Sequence, residues 1–187
     1  MDMFEGVGRR QAKTGTLTSI GQNSLNGNER KVLFRNNGDG TFTDVAWVNA
    51  ADRNEDGRGL SIFDYDRDGQ LDIVLRNFLQ PAQLLHNRGG RSHWLQLKLV
   101  GTRSNRDAVG ARITLRTVHG WQTRSVSAGS AYLSAQSLVQ HFGLGGETRA
   151  SEVRIVWPSG AETGLHELVA DRRYVVVEGV DEAIAVP

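Results

Sequence analysis

Nine consecutive residues, Asp64-Tyr65-Asp66-Arg67-Asp68-Gly69-Gln70-Leu71-Asp72, place four carboxylates at loop positions one, three, five and nine. Calcium is a hard cation that takes six to eight oxygen ligands at roughly 2.3–2.6 Å. Carboxylates at alternate positions of a curling loop can converge on such a centre. Gly69 permits the sharp turn that a residue with a Cβ resists. The expected calcium ligands are therefore Asp64, Asp66, Asp68, the Gln70 carbonyl and Asp72, the last closing the site with both oxygens. An acidic surface turn would use the same residue types. Four carboxylates in nine residues repel one another unless a cation neutralises them, which favours calcium.

The loop is not an EF-hand, which needs a bidentate Glu at its twelfth position and a helix on each side. The twelfth position here is Leu75, and the flanks Leu60-Ser61-Ile62-Phe63 and Leu71-Asp72-Ile73-Val74-Leu75 read as strands. Asp52-Arg53-Asn54-Glu55-Asp56-Gly57 resembles half of a second loop without its closing carboxylate; it could lend one oxygen to the main site. Asn36-Asn37-Gly38-Asp39-Gly40, between Lys31–Arg35 and Thr41–Val45, is a hairpin turn, because Asn, Asp and Gly tolerate positive φ.

Strands must carry these loops. Leu95, Leu97 and Leu99 alternate with Gln96 and Lys98; Ala111, Ile113 and Leu115 with Arg112, Thr114 and Arg116; Val153, Ile155 and Trp157 follow the same period. Arg173–Glu178 reads as the last strand, and Leu165–Ala170 is the one stretch offering a turn of helix. Period-two strands between glycine-rich turns predict an antiparallel sandwich. The expected class is all-β. Residues 1–28 form a loosely ordered N-terminal segment, 29–90 a calcium-binding repeat with a break at Arg88-Gly89-Gly90-Arg91, and 91–187 a small β-domain.

The 187 residues carry a net charge of +1, from 22 basic and 21 acidic side chains, which gives no reason to expect nucleic acid. No apolar run approaches the roughly 18–20 residues of a membrane span. Cysteine is absent, so neither a disulfide scaffold nor a thiolate zinc site is possible. Met1–Gly6 lacks the apolar core of a signal peptide. The calcium loop nonetheless favours an extracellular or periplasmic setting, where the ion is abundant.

The stretches Leu33–Val45 and Gly59–Asp72 resemble the FG-GAP/VCBS repeat. Ser104–Arg112, Gly129–Ser134, His141–Gly145 and Val156–Gly160 resemble the ASPIC/UnbV domain. The pair occurs in bacterial proteins similar to cartilage acidic protein, and in proteins encoded beside enediyne biosynthesis genes. The resemblance implies a calcium-dependent propeller blade joined to a small β-domain. A lone blade has exposed sheet edges. The expected partners are a protein or carbohydrate ligand, or the remaining blades of a longer chain.

Three further groups could do chemistry. Asn105, Arg106 and Asp107 form a possible recognition loop, with Arg106 as a carboxylate or phosphate fork; the plainer alternative has Arg106 tying the loop down through backbone carbonyls. Tyr132, Ser134 and His141 could serve as acid–base residues, but no nucleophile elbow or spaced acid–base pair accompanies them. His86, His93, His119, His141 and His166 lack metal-ligand spacing. Trp94, Trp121 and Trp157 read as core or edge aromatics. The leading reading is a non-enzymatic calcium-binding module serving protein or glycan interaction. The alternative is an enzyme or accessory protein of secondary metabolism, its pocket gathering Arg106, Asp107, Tyr132 and His141.

Overall fold

The computed structural model describes residues 29–187 other than Arg91 and Leu133. The segment 1–28, expected to be loosely ordered, lies outside them. The described residues contain thirteen strands and no helix, so none is long and apolar enough to cross a membrane. The chain divides into two compact units. One comprises residues up to Leu60 together with Ile73–Leu85; the other comprises Ser61–Asp72 and His86–Pro187.

In the first unit β1 (Phe34–Asn36) and β2 (Phe42–Asp44) form the expected hairpin, with Phe34 opposite Asp44 and Asn36 opposite Phe42. Gly38 and Gly40 sit at φ of 83° and 87°. Asn36 Oδ1 accepts the Gly38 amide and Asp39 Oδ1 the Thr41 amide, and Asn37 bonds the hydroxyls of Thr41 and Thr43, so the turn's polar side chains are spent within the hairpin. The Asp52–Gly57 segment lends no oxygen to a metal-capable cluster among the described residues. Its acids serve locally instead: Asp52 pairs with Arg30, Asp56 with Arg58 at 2.8 Å, and Glu55 accepts from Gln83 at 2.6 Å. A three-stranded sheet has the order β3 (Gly57–Phe63), β4 (Asp72–Asn77) and β5 (Gln83–Leu85); its residues 57–60, 73–77 and 83–85 belong to this unit.

The second unit is a sandwich. One sheet has the order β11 (Glu162–Val169), β10 (Arg149–Val156), β7 (Arg112–Thr117) and β8 (Gly120–Ser125). The other runs β13 (Ala183–Val186), β12 (Arg172–Val177), β6 (His93–Val100) and β9 (Gln140–Gly145). Period-two alternation sends one face of each strand inward. Leu95, Leu97 and Leu99 of β6, Ile113 and Leu115 of β7, Phe142 and Leu144 of β9, and Val153 and Ile155 of β10 meet in a single core. Trp157 closes it, fully buried, donating its indole N–H to Thr163 Oγ1 at 3.0 Å.

Three expectations change. Leu165–Ala170 is no helical turn: all but Ala170 lies in β11, where Leu165 pairs with Val153 and Leu168 with Ala150. Arg173–Glu178 is not the last strand, because β13 follows and pairs antiparallel with β12. The sandwich is not wholly antiparallel, because β12 runs parallel to β6, with Tyr174 opposite Leu97 and Val176 opposite Leu99.

The loop after β6 is held by Glu178, just past β12 and buried. Its Oε2 accepts the amides of Thr102, Arg103 and Ser104 at 2.9, 2.8 and 2.7 Å, and its Oε1 accepts the hydroxyls of Ser104 and Ser159. Burial alone would raise its pKa; the hydrogen bonds from Ser104, Ser159, Thr102 and Arg103 win and hold it at about 2. A depressed carboxylate stabilises fully above its unfolded pKa and loses that contribution as pH falls through the folded one. The melting temperature should therefore fall between about pH 4.5 and 2. Glu178→Gln should melt lower at neutral pH and show a flatter acid limb; an unchanged acid limb would remove Glu178 from the account.

Candidate functional site

The Asp64–Asp72 loop organises itself through main-chain amides. Asp64 Oδ2 accepts the Gly69 amide at 3.1 Å, Asp66 Oδ1 that of Asp68 at 3.3 Å, and Asp68 Oδ1 that of Gln70 at 2.7 Å. Asp72 is fully buried. Its Oδ2 accepts the Tyr65 amide at 2.9 Å and its Oδ1 the Asn87 amide at 2.8 Å, clasping both ends of the turn to the segment after β5. Each oxygen of a carboxylate can accept more than one interaction, so the clasp leaves lone pairs over.

Gly69 is buried at φ +86°, and a Cβ there would lie 1.8 Å from the Trp94 indole nitrogen. The glycine thus satisfies two demands at once, the turn and the close approach of Trp94. Arg67 takes a left-handed φ of 66° without that freedom. Trp94 stacks on His141 with ring centroids 6.1 Å apart and planes 13° apart, so it spans the loop and β9 rather than entering the core.

Gln96 alternates out of the core yet is buried. Its Nε2 donates to Asp64 Oδ2 at 2.9 Å, and its Oε1 accepts from Arg173 Nε at 2.8 Å. His141 Nδ1 lies 3.5 Å from the same Nε2. Burial lowers the His141 pKa, Asp64 opposes that shift, and Arg124 reinforces it. Its imidazole is therefore held toward the neutral form.

Asp64, Asp66 and Asp72 each offer an oxygen within 4.8 Å of the other two. Asp68 falls in a second cluster, with Asp66 and His86, whose Nε2 lies 3.0 Å from Asp66 Oδ2. Gln70 follows as part of the turn. His86 shows no metal-ligand spacing in the sequence because it stands outside the loop and is folded back onto it, edge-on to Tyr65 at 5.7 Å. The donor set of the first cluster is all oxygen. One of its atoms, Asp64 Oδ1, is buried without a hydrogen-bond partner. A buried carboxylate oxygen with no donor is costly unless a cation serves it, so these residues fit calcium.

The remaining candidates disperse. Asn105 is the residue that ties its loop down, its side chain bonding both the amide and the carbonyl of Val109 at 2.8 Å. Arg106 contributes its carbonyl to the Gly101 amide, and its side chain is exposed, so the tying role expected of Arg106 belongs to Asn105. Asp107 lies 3.9 Å from Lys98. Tyr132 is 75 % exposed. A cavity of about 350 Å³ is lined by His141 but by none of Arg106, Asp107 and Tyr132.

Residues 19–75 match the FG-GAP-like repeat and residues 101–183 match the ASPIC and UnbV family. The chain carries an FG-GAP-like repeat followed by an ASPIC/UnbV domain. Over this span it is homologous to cartilage acidic protein 1. It is 33 % identical to the human protein over 135 residues, which is 70 % of this chain and 20 % of that protein. The mouse protein gives 33 % over 135 residues, 70 % and 21 %, and the Xenopus tropicalis protein 35 % over 121 residues, 60 % and 18 %. The chain thus spans about a fifth of the length of these curated relatives.

Gly69→Ala should lower stability by about 2 kcal/mol or more, since strained φ and overpacking against Trp94 act together. Gly69→Ala combined with Trp94→Ala should recover less than the packing share. A single-variant melting curve like that of wild type would contradict this close approach.

Proposed function

We propose that the chain is a non-enzymatic calcium-binding module, with a structural ion held by the Asp64–Asp72 loop, and that it serves interaction with a protein or glycan outside the cytosol. The observation that carries the reading is the meeting of Asp64, Asp66 and Asp72 around the unpartnered Asp64 Oδ1. Oxygen donors suit calcium better than a transition metal, for which the Asp66, Asp68 and His86 cluster would be the better set. In this reading Asp72, which is buried, and Asp64, which is half-buried, hold the ion from the inner side, while Asp66, Asp68 and the Gln70 carbonyl complete its coordination from the outer side. The ion fixes the loop against Trp94 and stabilises the fold by mass action. The enzyme alternative loses its expected geometry, because Arg106, Asp107 and Tyr132 stand apart from the cavity that His141 lines.

Thermal melts in EDTA, in millimolar calcium and in magnesium test the reading. Calcium alone should raise the melting temperature. Asp64→Asn should abolish the shift, and His86→Ala should keep it. Asp72→Asn should also lower stability in EDTA by about 1–3 kcal/mol, because its amide group leaves a main-chain N–H unmet. A melt indifferent to calcium would contradict the reading, and a shift lost in His86→Ala would move the ion to the second cluster.

A further inference from the structure

Asp64, Gln96 and Arg173 form a hydrogen-bonded wall that borders the 350 Å³ cavity. The orientation of the Gln96 amide is fixed from both sides: its oxygen faces the Arg173 donor and its nitrogen faces the Asp64 acceptor. His141 Nδ1 faces that amide nitrogen at 3.5 Å, a donor, which favours the imidazole proton on Nε2. Arg173 uses Nε in this wall and keeps its two terminal amino groups. Arg124 also lines the cavity, with its guanidinium 5.5 Å above the Phe142 ring and Nη1 given to the Thr123 carbonyl at 3.0 Å. Among the lining residues two guanidinium groups and an imidazole N–H stand against a single carboxylate, Asp64, which already accepts from Gln96 and Gly69. Gln140 and Ser137 add uncharged polar groups.

We propose that this cavity binds a small hydroxylated carboxylate of the uronic-acid kind, its carboxylate held between Arg124 and Arg173 and its hydroxyls by His141, Gln140 and Ser137. Planar guanidinium forks match a carboxylate bidentately. A cavity of this volume, whose polar groups stand beside Ile62, Phe63, Leu71 and Val139, offers a sugar ring both hydrogen-bond partners and an apolar face. The inference deepens the glycan side of the proposed function and rests on that reading.

The test is calorimetric titration of the full chain with D-glucuronate in calcium, with D-glucose, glucose 6-sulfate and triglutamate as comparisons. A calcium-dependent melt is read on each sample. Glucuronate should saturate and glucose should not. Arg124→Met, which keeps an apolar cover over Phe142, should weaken glucuronate by about tenfold or more with the calcium shift intact. Arg124→Lys should fall between the two. No saturation by glucuronate, equal binding of glucose, preference for glucose 6-sulfate or triglutamate, or indifference to Arg124→Met would each overturn this site. If the calcium shift persists in those cases, the module reading stands; if the calcium shift alone is missing, that reading falls and the cavity assignment is judged on glucuronate.

Discussion

Three carboxylates, Asp64, Asp66 and Asp72, present oxygens within 4.8 Å of one another, and their mutual repulsion is the constraint around which the loop is built. Like charges this close repel even at the effective dielectric constant of a protein surface. Main-chain amides relieve part of this. Gly69 and Tyr65 donate from within the loop and Asn87 from the segment after β5. Asp64 Oδ1 receives no such donor. A cation at that point would turn the largest local penalty into the tie that holds the turn.

One strand joins this loop to the sandwich. The inward residues of β6, Leu95, Leu97 and Leu99, are fully buried in the core, while Trp94 and Gln96 on its other face receive the loop. Trp94 fills the space that the missing Cβ of Gly69 leaves, and Gln96 passes the position of Asp64 on to Arg173 and His141. Rigidity in β6 is thereby shared with the acids. The parallel pairing of β12 beside it brings Arg173 opposite Gln96, which is why a residue so distant in sequence shares the same wall.

Much of this was readable from the chain. Aspartates at alternate positions marked the loop, Asn and Gly marked the β1–β2 turn, and period-two leucines marked β6 as a core strand. What escaped depends on pairing over long sequence separations. His86, Gln96, Arg173 and Glu178 carry no local pattern; each gains its role from a partner brought close by the sheet. The turn of helix at Leu165–Ala170 failed because a short apolar run has no decisive period, and strand partners at Val153 and Ala150 settle its state. Arg106 has the chemistry of a tether, whereas the shorter Asn105 side chain closes the loop on Val109.

The central claim is that calcium occupies the Asp64–Asp72 loop, and direct calorimetric titration of calcium into the purified chain, beside its Asp64→Ala and Asp72→Ala variants, addresses it most directly. The account predicts a saturable calcium-binding event in the wild type that both variants lose and that magnesium does not reproduce. Absence of that event, or its survival in both variants, would contradict the account.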